Sequence, residues 1–163
     1  TFTGKIIGSF ESALAGCVAL TAFIPMLMGT GGNAGGQTSV TIIRGLAIEE
    51  IRMRDILKIL FKELRVSLLC GIALSVINFG KIMLVDRLLF GNNEITVEIA
   101  FAICLTLLFT IVVAKLVGCS LPILAKRIGF DPAVMASPFI TTIVDAIALL
   151  IYFAIAVTVI PGL

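Results

Sequence analysis

Thirteen residues constrain this chain more than any others: Pro25 to Gln37, Pro-Met-Leu-Met-Gly-Thr-Gly-Gly-Asn-Ala-Gly-Gly-Gln, with five glycines and two amide side chains set inside apolar sequence. Ala13 to Met28 leads in and Val40 to Ala47 leads out. A run this rich in glycine inside apolar flanks reads as special backbone within a membrane. Glycine either lets helices approach closely or lets the backbone unwind, and freed carbonyls at membrane depth are tolerated only against protein or a water-filled path. Two readings follow, a permeation path and plain close packing of helices.

Soluble nucleotide sites do not fit the same run. Gly31 to Thr38 reads Gly-x-x-x-x-Gly-Gln-Thr and lacks the lysine of a phosphate-binding loop, a charge Gln37 does not supply. Gly29, Gly31 and Ala34 match a loose dinucleotide fingerprint, but that fingerprint needs a preceding strand in a βαβ unit, and these flanks are too long and apolar.

Composition places the chain in a bilayer independently. Hydrophobic residues make up 60%, charged residues only 13%, and the mean hydropathy is +1.20, against roughly 25% charged residues in a soluble domain. The expected fold class is an all-α integral membrane protein, with 163 residues giving one bundle of about four full spans of roughly 20 residues. The net charge of +2 argues for no nucleic-acid partner. Histidine is absent, and Cys17, Cys70, Cys104 and Cys119 stand apart without a CxxC pair, so buried free thiols are expected. No Ser-His constellation or catalytic carboxylate pair stands out, and enzyme activity is not expected.

Along the chain, Thr1 to Ser12 is mixed, does not have the pattern of a signal peptide, and opens on Thr as a fragment or processed product would. Pro25 predicts a kink or loosened turn just before the glycines. Residues 48–65 form an amphipathic cytoplasmic linker, with Arg52, Arg54, Lys58, Lys62 and Arg65 interleaved with apolar residues as in an interfacial helix, and with Asp55 as a candidate cap. Val66 to Val85 is the next span, Asp86 to Glu98 a polar turn, and Ile99 to Leu116 a further span with Pro122 beyond it. Lys115 reads as snorkelling to the interface, with a counter-charge to Asp145 as the alternative. Asp131-Pro132 starts the last helix, Ala133 to Ile160. Lysine and arginine gather on the two loops that four alternating spans place on one side, which predicts that these basic loops are cytoplasmic and both ends outside.

Asp145 is the second key residue. It falls about twelve residues into the last span, roughly 18 Å along the axis and near the middle of a hydrocarbon core of about 30 Å. A carboxylate there is costly and by default functional. Ser137 and Thr141 precede it at intervals of four, with Thr142 at i−3 and Ala148 at i+3, so small and hydroxyl-bearing residues share its face. The alternative is a protonated Asp145 hydrogen-bonded to Thr141 or a neighbouring helix.

The motif Pro25-x-x-x-Gly29-x-Gly31-Gly32-Asn33-x-Gly35-x-Gln37, followed by Asp131-Pro132-Ala133, Ser137-Pro138, Thr142 and Asp145, resembles the transmembrane domain of the MgtE family of magnesium channels. The resemblance covers nearly the whole chain, residues 1–163, including the Phe10-Glu11-Ser12 lead-in. It implies a homodimer of five-helix subunits in the cell membrane, with most of the first helix before Thr1 and cytoplasmic regulatory domains as further partners. It implies that hydrated Mg²⁺ enters the cytoplasm along the dimer axis, held by Asp145, helped by the carbonyl near Thr141 and by Asn33. Gly29, Gly31, Gly32, Gln37, Ser137, Thr142 and Ala148 would line the path. Mg²⁺ is then the transported ion, and no organic cofactor is expected. A proton- or Na⁺-coupled divalent cation carrier or exporter, and a non-transporting membrane scaffold, are the alternatives.

Overall fold

The structure, a computed structural model, describes residues 2–10, 18–91, 95–135 and 137–160, without the side chains of Phe2, Ser9, Val18, Met53 and Ser137. All regular elements among these residues are helical. Helix α1 (Phe2–Ser9) precedes a 3₁₀ segment (Val18–Phe23) that runs into α2 (Ile24–Ala47). A 3₁₀ turn (Met53–Asp55) leads to α3 (Ile56–Lys81), which continues as a π-helical stretch (Ile82–Leu89). Then come α4 (Val97–Arg127), a 3₁₀ turn (Pro132–Met135) and α5 (Ser137–Val159).

Among the described residues three helical runs are long and apolar enough to cross a membrane: Ile56–Leu89, Val97–Arg127 and Pro138–Val159. Helix α2 stands outside this set because its glycines, threonines and amides dilute its hydropathy. Its 24 residues still measure about 36 Å at 1.5 Å per residue.

Helix α4 is the hub, packed against α2, α3 and α5, while α2 also packs on α5. Leu20, Leu27, Ile103, Ile111, Leu149, Tyr152 and Phe153 are fully buried at the centre. The rings of Phe10 and Phe153 stack with centroids 4.4 Å apart, tying the residue that follows α1 to α5. In a bilayer such cores are held by close packing rather than by exclusion of water, which favours small residues where helices cross.

Helix ends follow local chemistry. The Ile99 N–H donates to the Thr96 hydroxyl at the start of α4. At its other end Gly129 adopts φ +85°, Gly129 N–H donates to the Lys126 carbonyl and Phe130 N–H to the Ala125 carbonyl, a glycine-terminated helix end. Asp131 caps the following turn as expected, its Oδ1 accepting from Ala133 N–H at 2.9 Å.

Several expectations are corrected. Pro25 lies in the first turn of α2, where its missing N–H costs nothing; the irregular backbone is the 3₁₀ segment before it, and the glycines run through an unbroken helix. Residues 56–65 are no separate interfacial helix but the first turns of α3, and Asp55 makes no side-chain cap bond there. Asp86 belongs to the π-helical stretch rather than to a turn. Helix α4 passes through Pro122 and ends only at Arg127. Cys104 and Cys119 are buried free thiols, whereas Cys70 is exposed on α3; Cys17 and the Glu11-Ser12 part of the lead-in lie outside the described residues.

Candidate ion-path site

Helix α2 divides into two faces. Pro25, Gly29, Asn33, Gln37 and Thr41, four residues apart, are exposed, as is Arg44 below them. Asn33, Gly36, Gln37, Val40 and Thr41 line an open groove of about 390 Å³ along this face. The Thr41 hydroxyl donates to the Gln37 carbonyl at 3.0 Å, whereas the Asn33 and Gln37 amides, exposed along a helix of apolar surroundings, need water or a partner, so this stripe is a polar surface of the bundle.

The other face is a packing surface. A Cβ on Gly31 would lie 2.6 Å from Thr110 Cγ2 and 3.0 Å from Val144 Cγ1, and one on Gly35 would lie 3.0 Å from the Ala114 carbonyl oxygen. On α4, a Cβ on Gly118 would run into the Gly35 carbonyl oxygen itself. The glycines therefore serve close approach, seating α2 between α4 and α5, and the unwinding alternative does not occur.

Asp145 meets that seam. A Cβ on Gly32 would lie 3.1 Å from Thr141 Cγ2 and 3.5 Å from Asp145 Oδ1, so Asp145 and Thr141 rest on the residue adjacent to Asn33. Asp145 is half-buried and Thr142 exposed. Both threonine hydroxyls donate to the Pro138 carbonyl, at 3.0 Å from Thr141 and 2.9 Å from Thr142, which leaves their oxygen lone pairs to accept from a water. Asp145 lies eight residues after Ser137 and fourteen before Val159, or about 12 Å and 21 Å along the helix. The expected twelve residues shrink to eight because a 3₁₀ turn replaces the first helical turns.

Of the other sequence-predicted residues, Gly29 and Gln37 lie on the open stripe. Gly31 and Ala148 are packed inside the helix bundle. The side chain of Ser137 is outside the described set. Among the described residues no three Asp, Glu, Cys or His side chains gather, so these residues form no carboxylate cage for a bare divalent ion.

Lys115 neither snorkels nor pairs with Asp145. Its Nζ lies 3.2 Å from Glu63 Oε2, joining α4 to α3. Sequence reasoning missed this pair: the partners are 52 residues apart, and Glu63 sits among basic residues that read as an interfacial helix.

A family model described as "Divalent cation transporter", MgtE, matches residues 24–155, from the start of α2 into α5. Magnesium transporter MgtE of Bacillus subtilis is 37% identical over 161 residues, 99% of this chain and 34% of that protein. The protein of the same name from Thermus thermophilus is 36% identical over 154 residues, 94% of this chain and 32% of that protein. That of Enterococcus faecalis is 34% identical over the same share of this chain. The chain thus spans about one third of the length of the curated relatives it matches. The glycine-seated helix, the carboxylate resting on it and a family match across most of the chain agree: this chain belongs to the MgtE family of divalent cation transporters.

Proposed function

We propose that this chain is the membrane part of a Mg²⁺ transporter that conducts the hydrated ion into the cytoplasm through a pore on the axis of a homodimer. The observation that carries the reading is Asp145, half-buried against Gly32 beside the open Gly29, Asn33 and Gln37 stripe. The names of the relatives supply the ion.

One carboxylate is a poor match for a divalent ion, and a two-fold axis supplies the second. Mg²⁺ gives up water reluctantly, so a site that recognises the hydrated ion needs a pair of carboxylates and a surround of acceptors for water protons. Thr141, Thr142 and Asn33 are of that kind. The amides of Asn33 and Gln37, facing the partner copy across the axis, would carry the hydrated ion past the apolar layer. In this reading Arg44, Lys58, Lys62 and Lys126 mark the cytoplasmic side, residues 48–55 connect two helices there, and cytoplasmic regulatory domains adjoin that surface.

Voltage separates this channel from a coupled carrier. In liposomes containing the chain, Mg²⁺ uptake should follow an imposed inside-negative potential with no opposing ion gradient. Uptake that starts only when a proton or Na⁺ gradient is applied would replace the channel by the carrier.

A further inference from the structure

Helix α3 docks on α4 through a row of polar and small residues, preceded at its start by Ile56, Ile59 and Leu60 packed on the Ile42, Leu46, Cys119 and Ile123 cluster. Glu63, Ser67 and Gly71 are its buried positions, four apart, and Ser75 and Asn78 extend the row. Glu63 meets Lys115 at 3.2 Å. A Cβ on Gly71 would lie 3.1 Å from Leu108 Cδ1. Ser75 Oγ donates to the Cys104 carbonyl at 2.8 Å, and Asn78 Nδ2 reaches Cys104 Sγ at 3.9 Å. The outer face of α3 presents Leu57, Phe61, Leu69, Ile72, Val76 and Ile77.

An apolar helix surface in lipid gains little by choosing one register over another, because lipid tails are as apolar as leucine. A charge pair does choose. The side chains of Lys115 and Glu63 are only 18% and 11% exposed, so a slip that separated them would leave two poorly solvated charges. The same turn of α4 seats α2: the Ala114 carbonyl lies against Gly35, and Gly118 abuts the Gly35 carbonyl. One side of this turn therefore holds α3 and the other holds the helix with the polar stripe.

We propose that the Glu63–Lys115 pair is a positioning element of the ion path, fixing the register of α3 on α4 and through that turn the seat of α2. The role in transport rests on the function proposed above; the role in register does not.

The test uses Ser75→Cys, which places a thiol beside native Cys104, with the other three cysteines changed to alanine. Disulfide formation driven by copper-phenanthroline reports register in membranes, and Mg²⁺ uptake under reducing conditions reports the path. K115M and E63Q should each slow the cross-link about ten-fold and lower uptake, and the swap E63K/K115E should restore both. If K115M does not reach the membrane, E63Q/K115M, which buries no lone charge, replaces it and should also cross-link slowly. Cross-linking at the parental rate in these variants overturns the proposal, as does slowed cross-linking with parental uptake, or loss of uptake in E63Q but not K115M. No cross-link in the parent contradicts the seam itself. Cross-linking that follows the charges in a parent without Mg²⁺ uptake overturns the transport reading, and the pair's role in the path with it.

Discussion

Gly32 of α2 faces Asp145 of α5 so closely that a methyl group at position 32 would sit 3.5 Å from the carboxylate Oδ1 and 3.1 Å from Thr141 Cγ2. The first separation is ordinary contact and the second is tight, so Gly32→Ala must push Thr141 by a few tenths of an ångström. Alanine gains about 1 kcal/mol over glycine in a helix, which offsets much of that strain. Stability should be nearly unchanged while Mg²⁺ uptake falls. Gly29→Ala, with nothing within 4 Å of the added methyl, should gain stability by up to about 1 kcal/mol. Unfolding of the two variants in detergent and liposome uptake by Gly32→Ala check these outcomes.

At Gly118 there is no room to relax, because the obstacle is the backbone carbonyl of Gly35. Gly118→Ala should pry α2 from α4 and destabilise the bundle by about 2–3 kcal/mol. The measurement is the unfolding midpoint in detergent; a midpoint equal to that of the parent would show that the two helices do not cross here.

Tyr152 anchors the segment that leads into α2. Its hydroxyl donates to the Leu20 carbonyl at 2.8 Å, both residues fully buried. Tyr152→Phe keeps the ring and leaves that acceptor without its tyrosine donor, a loss of about 1–3 kcal/mol. Stability of the variant equal to that of the parent would contradict the anchor.

Glu49, just beyond α2, is the one non-glycine described residue with positive φ, at 57°. Left-handed backbone costs an L-residue about 1–2 kcal/mol, and glycine is free of that cost although it loses more entropy on folding. Glu49→Gly should therefore stabilise the chain by up to about 1 kcal/mol, seen as a raised unfolding midpoint.

What could be read from the sequence was local or periodic. Asp131 caps a turn because aspartate before proline does so from its own side chain, and Asp145 shares a face with Thr141 because both follow one helical period. The purpose of the Gly31, Gly32 and Gly35 cluster was only half legible: glycine permits both close packing and unwinding, and only Thr110, Ala114, Ile140 and Val144, from distant parts of the chain, decide for packing. Pro122 misled because a proline within a span can be carried when neighbouring helices hold the turn in place. Glu63 and Lys115 were invisible as a pair for the plainest reason, since no local pattern links residues on two different helices.

The measurement that tests the central claim most directly is voltage-driven Mg²⁺ uptake into liposomes by the parent chain and Asp145→Asn, with folding and dimer content of both verified. The substitution preserves shape but exchanges one acceptor oxygen for an NH₂ donor and removes one negative charge per chain, two at the proposed axis. Uptake by the mutant should fall at least about ten-fold, since each lost charge contact with the ion in a poorly solvated site is worth more than about 1.4 kcal/mol. Uptake by Asp145→Asn equal to that of the parent would contradict the account and place the ion elsewhere.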